Sequence, residues 1–223
     1  MRLPGGGGPV ARARPGIPPG RARRALDVAV SAVGLAVLSP LLVGIAAVVK
    51  LSGQGTAIFR QERVGQGGVP FTLWKFRTMV AGAAAGSDLT VLGDDRLTRV
   101  GRLLQAWSLD ELPQLVNVLR GDMTLVGPRP ETLGLAARYR PELAVILDYR
   151  PGLTGNVQVS MRDVEPITVS PGVDLEQHYL DALVPRRVAL DLEYLAAPTL
   201  GRTLGILART IVHVVRRGSG HQT

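Results

Sequence analysis

Cysteine is absent from this 223-residue chain, which excludes a disulfide framework, a thiol nucleophile and a thiolate metal site. The three histidines do not have the spacing of metal ligands either. At this length the chain can bury one sizeable core and is short for two full domains.

Acidic residues are missing from both ends of the chain, where arginine is common. Residues 1–24 contain six arginines and no acid, and residues 202–223 contain four arginines and no acid. The rest of the chain has a net charge of −2, so the overall charge of +8 comes from the ends. A nucleic-acid-binding domain carries its positive charge on the folded body, so that class is disfavoured. Basic residues beside apolar segments instead suit an anionic lipid surface.

Residues 1–23 are mostly glycine, proline and arginine and cannot bury enough apolar surface to offset the entropy of ordering. We therefore predict a disordered basic tail there, and a second disordered tail at 218–223. The amphipathic segment 200–217 precedes that second tail, with an apolar face formed by Leu200, Leu204, Leu207, Ile211 and Val214. As a helix, this segment either packs on the core or docks at a membrane interface.

The run 28–49 contains no charged residue. As a helix it is about 33 Å long, which is enough to cross a bilayer core. Pro40, near its middle, removes a backbone hydrogen bond and kinks the helix, and the Ser39 hydroxyl can bond the freed carbonyl. These features leave two topologies open: a single span, or a re-entrant helix over residues 24–51 that returns to the face it entered.

Shorter patterns predict the remaining elements, which belong to an α/β domain over residues 52–199. Two alternating runs at 57–63 and 71–79 flank a glycine-rich turn and predict a β-hairpin. A strand is predicted at 157–159 and a short helix or turn at 99–104. Helical segments are predicted at 112–119, 132–149 and 175–195, the last interrupted at Pro185.

The most informative block is 107–131, which reads WSLDELPQLVNVLRGDMTLVGPRPE. Ser108 and Glu111 fit a capping box, and Asp110 followed by Pro113 fits an alternative helix start. Either interpretation places two carboxylates at a helix N-terminus, where they can simply cap the helix. The same position attracts phosphate and favours the ionised carboxylate, which is the nucleophilic form. Two adjacent carboxylates can also hold Mg²⁺ together with phosphate oxygens.

Basic residues of the body are candidate phosphate contacts. Arg129 stands between two prolines that stiffen the backbone and aim its guanidinium, although a structural ion pair is the alternative. Lys75 and Arg77 alternate with two aromatic residues, so a strand places both cations on one face. An ordinary half-buried strand explains that second pattern equally.

Six motifs, in their order along the chain, resemble those of the bacterial sugar transferases that act as monotopic polyprenyl-phosphate phosphoglycosyl transferases. The resemblance extends from about Arg23 to Ile211. Its pieces are LSP (38–40), FRQERVG (59–65), WKFRTM (74–79), LTRVGRLL (97–104), SLDELPQLVNVLRGDMTLVGPRPE (108–131) and RPGLTG (150–155).

The resemblance implies an enzyme that transfers a sugar-1-phosphate from a UDP-sugar to undecaprenyl phosphate, releases UMP and so initiates polysaccharide or glycoconjugate synthesis. It implies that Asp110 forms a covalent phosphosugar intermediate, that Glu111 completes the dyad, and that both carboxylates hold Mg²⁺. Four basic residues are the expected substrate contacts: Lys75, Arg77, Arg129 and Arg150.

The resemblance also implies a re-entrant helix broken at Ser39 and Pro40, which enters one leaflet of the bacterial inner membrane from the cytoplasmic face. The expected partners are the UDP-sugar, the polyprenyl phosphate and membrane lipid, with no nucleic acid. A homodimer is an open expectation.

The chain departs from the family in two places. Family members often have basic residues just before SLDELPQ, where this chain has Gln105, Ala106 and Trp107, so Arg99 or Arg102 is expected to supply the phosphate contact. The sequence after RPGLTG also differs, and we expect that region to bear on donor choice. The rival classes are a membrane-anchored scaffold without activity and a nucleic-acid-binding protein, and the intact dyad argues against the first.

Overall fold

The structure is a computed structural model that describes residues 16–80, 82–83, 94–160 and 174–219. The described part is a mixed α/β structure, as predicted. Its elements are α1 (Arg21–Leu51), β1 (Ile58–Val64), β2 (Pro70–Phe76), α2 (Arg99–Ala106), α3 (Gln114–Arg120), β3 (Thr124–Val126), α4 (Leu133–Ala136), β4 (Gly152–Thr154), α5 (Asn156–Ser160), α6 (Leu175–His178), α7 (Val184–Leu195) and α8 (Leu200–Ser219).

Helix α1 is long and apolar and lies along the body of the protein. Within the described ranges it is the one helix long and apolar enough to cross a membrane. The side chains that face the body recur every three or four positions: Arg23, Asp27, Ser31, Leu35, Leu38, Leu42, Ile45 and Val49. Valines dominate the faces turned away, and Val33, Val37 and Val43 are each more than 60% exposed, at 62%, 70% and 69%.

At Ser39 and Pro40, helix α1 replaces a missing backbone hydrogen bond with one from a side chain. Pro40 lies inside the helix and has no N–H to donate to the carbonyl of Ala36. The Ser39 hydroxyl donates to that carbonyl oxygen instead, at 2.8 Å. The predicted replacement of the missing amide by a hydroxyl is confirmed, and it leaves no orphan carbonyl at this point of an apolar helix.

The beginning of α1 is bound to β3. The helix begins at Arg21, three residues before the predicted start. Arg23 donates to the Val126 carbonyl at 2.7 Å. The Asp27 carboxylate accepts from the Thr124 hydroxyl at 2.7 Å and from the Leu125 amide at 2.9 Å. Both charged side chains are buried, and neither contact is visible in a local pattern.

The two sheets are small, and only one was predicted. Strands β1 and β2 form the expected antiparallel hairpin, in which Lys75 pairs with Phe59. Strands β3 and β4 form a parallel pair that the sequence did not indicate, because three residues are too few for an alternating pattern. The predicted strand at 157–159 is wrong, since these residues belong to helix α5, where Val157 and Val159 are both buried.

The predicted helix over 132–149 is also wrong as a continuous element. Helix α4 covers four residues, capped by the Thr132 hydroxyl, and a 3-10 segment follows at Ala144–Asp148. Pro141 lies between them, and a proline disfavours helical backbone at the residue before it. The helical prediction over 175–195 is confirmed, with a π-helical turn at Tyr179–Leu183 immediately before α7.

Helix α8 packs on the body by a face that is partly polar. Thr203 and Ile206 are buried there, at 1% and 2% exposure. The predicted apolar face is divided: Leu207 packs against the core, whereas Leu200, Leu204 and Ile211 are exposed. Packing of this helix on the core is therefore confirmed, through Ile206 and Leu207. Docking of its exposed apolar residues at a membrane interface stays a prediction.

Candidate active site

The two carboxylates of the predicted dyad lie in a 3-10 turn, Leu109–Glu111, between α2 and α3. Neither predicted capping arrangement forms. Ser108 has a left-handed backbone with a φ of 55° and makes no side-chain capping bond, whereas an N-cap requires extended backbone. The N-cap position of α3 is taken by Pro113. Asp110 and Glu111 therefore precede the helix, and neither side chain is its N-cap.

Asp110 is a buried carboxylate, with 6% of its surface exposed. Burial is the main cause that raises its pKa from 3.8 to about 6, and the neighbouring charge of Glu111 raises it further. The cations Lys75 and Arg129 act in the opposite direction. The group is therefore mostly ionised near neutral pH but poorly solvated, as suits a nucleophile.

Arg129 reaches the dyad. Its Nη2 lies 3.1 Å from Oε1 of Glu111, and this ion pair is the largest cause that raises the pKa of the guanidinium. The Arg129 side chain is half exposed, so the guanidinium is open to an incoming anion. The predicted alternative of an ion pair is thus present, but its partner is a dyad residue.

The loop that carries Arg129 is fixed on both sides. Before it, the Gly127 amide donates to the Thr154 carbonyl, and the Gly152 amide donates to the Pro128 carbonyl. A side chain at Gly152 would collide with the backbone of Gly127, so only glycine permits this close approach. After it, the Glu131 carbonyl accepts from the Val64 amide of β1. The arginine therefore stands on a short loop anchored to both sheets.

Lys75 is the second cation of the site. Its Nζ lies 5.2 Å from the centre of the Phe59 ring, the cross-strand neighbour. Burial and then Arg63 lower its pKa, while Asp110 and Glu111 raise it, which shows that the ammonium lies within electrostatic range of both carboxylates. The structure thus brings together four predicted site residues: Asp110, Glu111, Lys75 and Arg129.

Arg77 lies elsewhere, at the end of α1. It donates to the Val49 carbonyl at 2.6 Å and to the Gly53 carbonyl at 3.1 Å, and it also contacts the Gln54 carbonyl. These contacts describe a cation that satisfies the last carbonyls of α1 and the following turn. A substrate contact from Arg77 stays a prediction.

Arg150 is likewise separated from the dyad. Its Nε donates to Oε1 of Gln66 at 3.0 Å, and its Nη1 lies beside Gly121, together with a guanidinium nitrogen of Arg24. Gly121 ends α3, whereas Asp110 precedes the start of that helix. Burial and then Arg24 lower the pKa of Arg150. Its predicted substrate contact also stays a prediction.

The segment just before the dyad, where this chain lacks the basic residues common in the family, makes a different contact. The amide of Gln105, where relatives often have a basic residue, donates to the Thr78 hydroxyl at 3.3 Å. Arg99 and Arg102 are exposed on α2, so both remain candidates for the missing phosphate contact.

Asn117 is a site-building residue that sequence reasoning missed. It is fully buried on α3, accepts from the Trp74 amide at 3.1 Å and donates to the Thr72 carbonyl at 2.8 Å. It therefore fixes α3 to the strand that carries Lys75. The available signal was an amide within the apolar run LVNVL, because a buried polar side chain needs hydrogen-bond partners.

The carboxylate pair fits Mg²⁺ by donor chemistry. Among the described residues, no group of three or more Asp, Glu, His or Cys side chains forms a metal site. Magnesium does not require one, since it commonly takes one or two carboxylates and fills its other positions with water and substrate phosphate. Asp110 and Glu111 are the residues that would hold it.

A comparison with protein families decides the classification. The family described as bacterial sugar transferase matches residues 20–217. This chain belongs to that family. The resemblance carried by the sequence motifs and the prediction of a transferase enzyme are thereby confirmed.

Curated relatives of the chain have consistent names. The chain is 44% identical over 194 residues to the UDP-glucose:undecaprenyl-phosphate glucose-1-phosphate transferase of Caulobacter vibrioides, covering 85% of this chain and 68% of that protein. It is 35% identical over 217 residues to the exopolysaccharide production protein ExoY of Rhizobium meliloti, covering 90% and 88%. The Escherichia coli enzyme named as a UDP-glucose:undecaprenyl-phosphate glucose-1-phosphate transferase is 37% identical, and the chain spans only 36% of its length.

Proposed function

We propose that this protein transfers a sugar-1-phosphate from a UDP-sugar to undecaprenyl phosphate and releases UMP. The observation that carries the proposal is the buried Asp110 carboxylate with Lys75 and Arg129 in electrostatic range. Relatives named for the same transfer support the substrate class. Because relatives are named for glucose, galactose and N-acetylgalactosamine donors, the sugar itself is decided by experiment.

In the proposed first step, a carboxylate oxygen of Asp110 bonds to the β-phosphorus of the donor. The bond from that phosphorus to the bridging oxygen breaks, and UMP leaves with the electron pair. An aspartyl phosphosugar remains on the enzyme. An oxygen of undecaprenyl phosphate then attacks the same phosphorus, which releases the lipid-linked product and regenerates the carboxylate.

The basic residues have complementary roles in this step. Arg129 is the candidate that holds diphosphate oxygens, because its planar guanidinium stands on a fixed loop and is half exposed. Lys75 lowers the pKa of Asp110 and so favours its nucleophilic form. Bound at Asp110 and Glu111, Mg²⁺ would neutralise charge on the diphosphate.

We further propose that the enzyme is monotopic on the cytoplasmic face of the membrane. The contact stripe of α1 extends from Arg23 to Val49, so both halves of the helix stay against the body. A helix that crossed the bilayer would carry one half away from a body on one side. The exposed apolar stripe of α8 is consistent with the same interface. A homodimer stays a prediction.

The direct test is release of UMP by the purified full chain in lipid nanodiscs. UDP-glucose, UDP-galactose and UDP-N-acetylgalactosamine are each supplied with Mg²⁺, with and without undecaprenyl phosphate. We expect sustained UMP release with one or more donors only when the acceptor is present, and none from Asp110→Asn. Sustained release that does not depend on the acceptor would indicate a hydrolase, and no release with any donor would contradict the proposal.

A further inference from the structure

Glu131 is a buried carboxylate two residues after Arg129, and the proposed chemistry does not use it. It is 7% exposed. Its Oε1 accepts from the Thr132 amide at 3.0 Å. Its Oε2 accepts from two tyrosine hydroxyls, that of Tyr139 at 2.9 Å and that of Tyr179 at 2.5 Å. A buried carboxylate with three donors is held in one position, because rotation would leave a charge without partners.

A cation completes this cluster. The guanidinium of Arg187 on α7 lies 5.3 Å from the centre of the Tyr179 ring and donates to its hydroxyl. Its Nη1 is 4.0 Å from Oε2 of Glu131. Burial raises the pKa values of Tyr139 and Tyr179 well above the usual range, so both hydroxyls keep the protons that they donate. We call Glu131, Tyr139, Tyr179 and Arg187 the tyrosine cluster.

The cluster fixes the far side of the loop that carries Arg129. The near side is fixed by the bond between the Gly152 amide and the Pro128 carbonyl, at 2.7 Å. Only the two prolines and Arg129 lie between Gly127 and Glu131, so a shift of Glu131 moves the arginine. The same loop lines a small open cleft together with Tyr139, Arg187 and Asp191.

We propose that the tyrosine cluster positions Arg129 toward the dyad, and that Tyr139 and Tyr179 are positioning residues for the transfer. They act through Glu131 and the loop and do not themselves contact the reacting phosphate. The inference rests on the proposed function. The competing explanation is that the cluster only joins α4, the π-helical turn and α7 into a stable core, in which case its effects on activity do not depend on Arg129.

A double-mutant cycle separates these explanations. Tyr139→Phe and Tyr179→Phe are each measured alone and combined with Arg129→Lys, which retains charge and residual activity. Each tyrosine substitution should lower kcat by about tenfold in the presence of Arg129 but by less than about twofold beside Arg129→Lys. Donor KM should change little. Tyr194→Phe is the matched control, because its hydroxyl is also buried and bonded, to Thr203 at 2.8 Å, outside the cluster.

A second readout does not depend on the reaction. The rate at which phenylglyoxal modifies Arg129, followed by peptide mass spectrometry, should change at least about twofold in Tyr179→Phe and not in Tyr194→Phe. Equal effects of the tyrosine substitutions in both Arg129 backgrounds, or an unchanged Arg129 modification rate, would overturn the inference while leaving an active enzyme. Failure of the wild type to use any donor would overturn the proposed function instead, and the modification rates would still decide the positioning claim.

Discussion

The guanidinium of Arg129 lies 3.1 Å from the Glu111 carboxylate, so the arginine proposed to bind phosphate is paired with a residue of the dyad. A donor diphosphate must take over at least part of this pairing. Exchange of one anion for another at a half-exposed guanidinium is inexpensive, because the cation keeps a charged partner throughout. Glu111 would then be released toward a metal ion.

Substitution of Arg129 should affect turnover far more than stability. Arg129→Lys keeps the charge but loses the planar fork, and Arg129→Met loses both, so kcat should fall in that order, by about 10²–10³-fold for Arg129→Met. The melting temperature should stay nearly unchanged because the ion pair is partly exposed. Arg138→Met is the control, since it removes a similarly exposed pair with Glu176 at 2.7 Å. Parallel loss of stability and turnover would indicate a structural role.

Asp110→Asn should abolish turnover and raise stability. The folded state raises the pKa of Asp110 from 3.8 to about 6, so the unfolded chain releases this proton first and ionisation destabilises the fold as pH rises across that interval. Removal of the charge should therefore stabilise the protein by about 1–3 kcal/mol above pH 6, and this gain should disappear below about pH 3, where both states are protonated.

The covalent step has its own measurement on the wild type. Incubation with donor and Mg²⁺ without acceptor should add the mass of one sugar phosphate to the peptide that contains Asp110. Asp110→Asn is the control and should gain no mass, because it lacks the nucleophilic carboxylate. An unmodified peptide in a preparation that releases UMP and forms lipid-linked product would contradict the intermediate.

The pH dependence of activity should reflect the ionisation of Asp110 and the effect of Lys75 on it. Activity should rise with pH along a limb near pH 6, as the carboxylate becomes ionised. Lys75 lowers the pKa of Asp110, so Lys75→Met should move this limb to higher pH. Lys50→Met is the matched control, since its ammonium bonds to the Gly55 carbonyl after the end of α1. A limb that does not move in Lys75→Met would exclude the proposed role of Lys75.

The sequence was sufficient to predict elements that have a long periodic pattern or a clear turn signal. The apolar run, the hairpin around its glycine-rich turn and the amphipathic C-terminal helix are all present. The Ser39 hydroxyl was also predictable, because a proline inside a helix frees a known carbonyl. The dyad, Lys75 and Arg129 could be proposed as site residues because each lies in a short motif whose residue types indicate its chemistry.

Contacts between segments far apart in the chain could not be predicted from the sequence. Arg23 and Asp27 reach β3 across about a hundred residues, and Glu131 meets Tyr179 across 48 residues. The strands β3 and β4 exist because they pair with each other, and three residues carry no detectable period. The left-handed backbone of Ser108 similarly overrides a capping motif whose residue types were all correct.

The monotopic topology predicts that both chain termini lie on one side of the membrane. In spheroplasts, cysteine-free protein with a single cysteine introduced near residue 1 or near residue 223 should be protected from an impermeant maleimide at both sites. Both sites should react after the membrane is made permeable. Labelling of only one site in intact spheroplasts would show that α1 crosses the bilayer.

The Ser39–Ala36 bond predicts a dependence between two substitutions in α1. Ser39→Ala alone removes the hydroxyl that donates to the Ala36 carbonyl, and should lower the melting temperature in nanodiscs by the equivalent of about 1–3 kcal/mol. Pro40→Ala restores a backbone amide that can donate to the same oxygen, so Ser39→Ala should cost little in that background. Ser52→Ala is the control, because its hydroxyl bonds to the Val49 carbonyl at 2.9 Å at the end of the helix, where Pro40→Ala has no influence. Equal losses from Ser39→Ala with and without Pro40 would mean that the hydroxyl does not replace the missing amide.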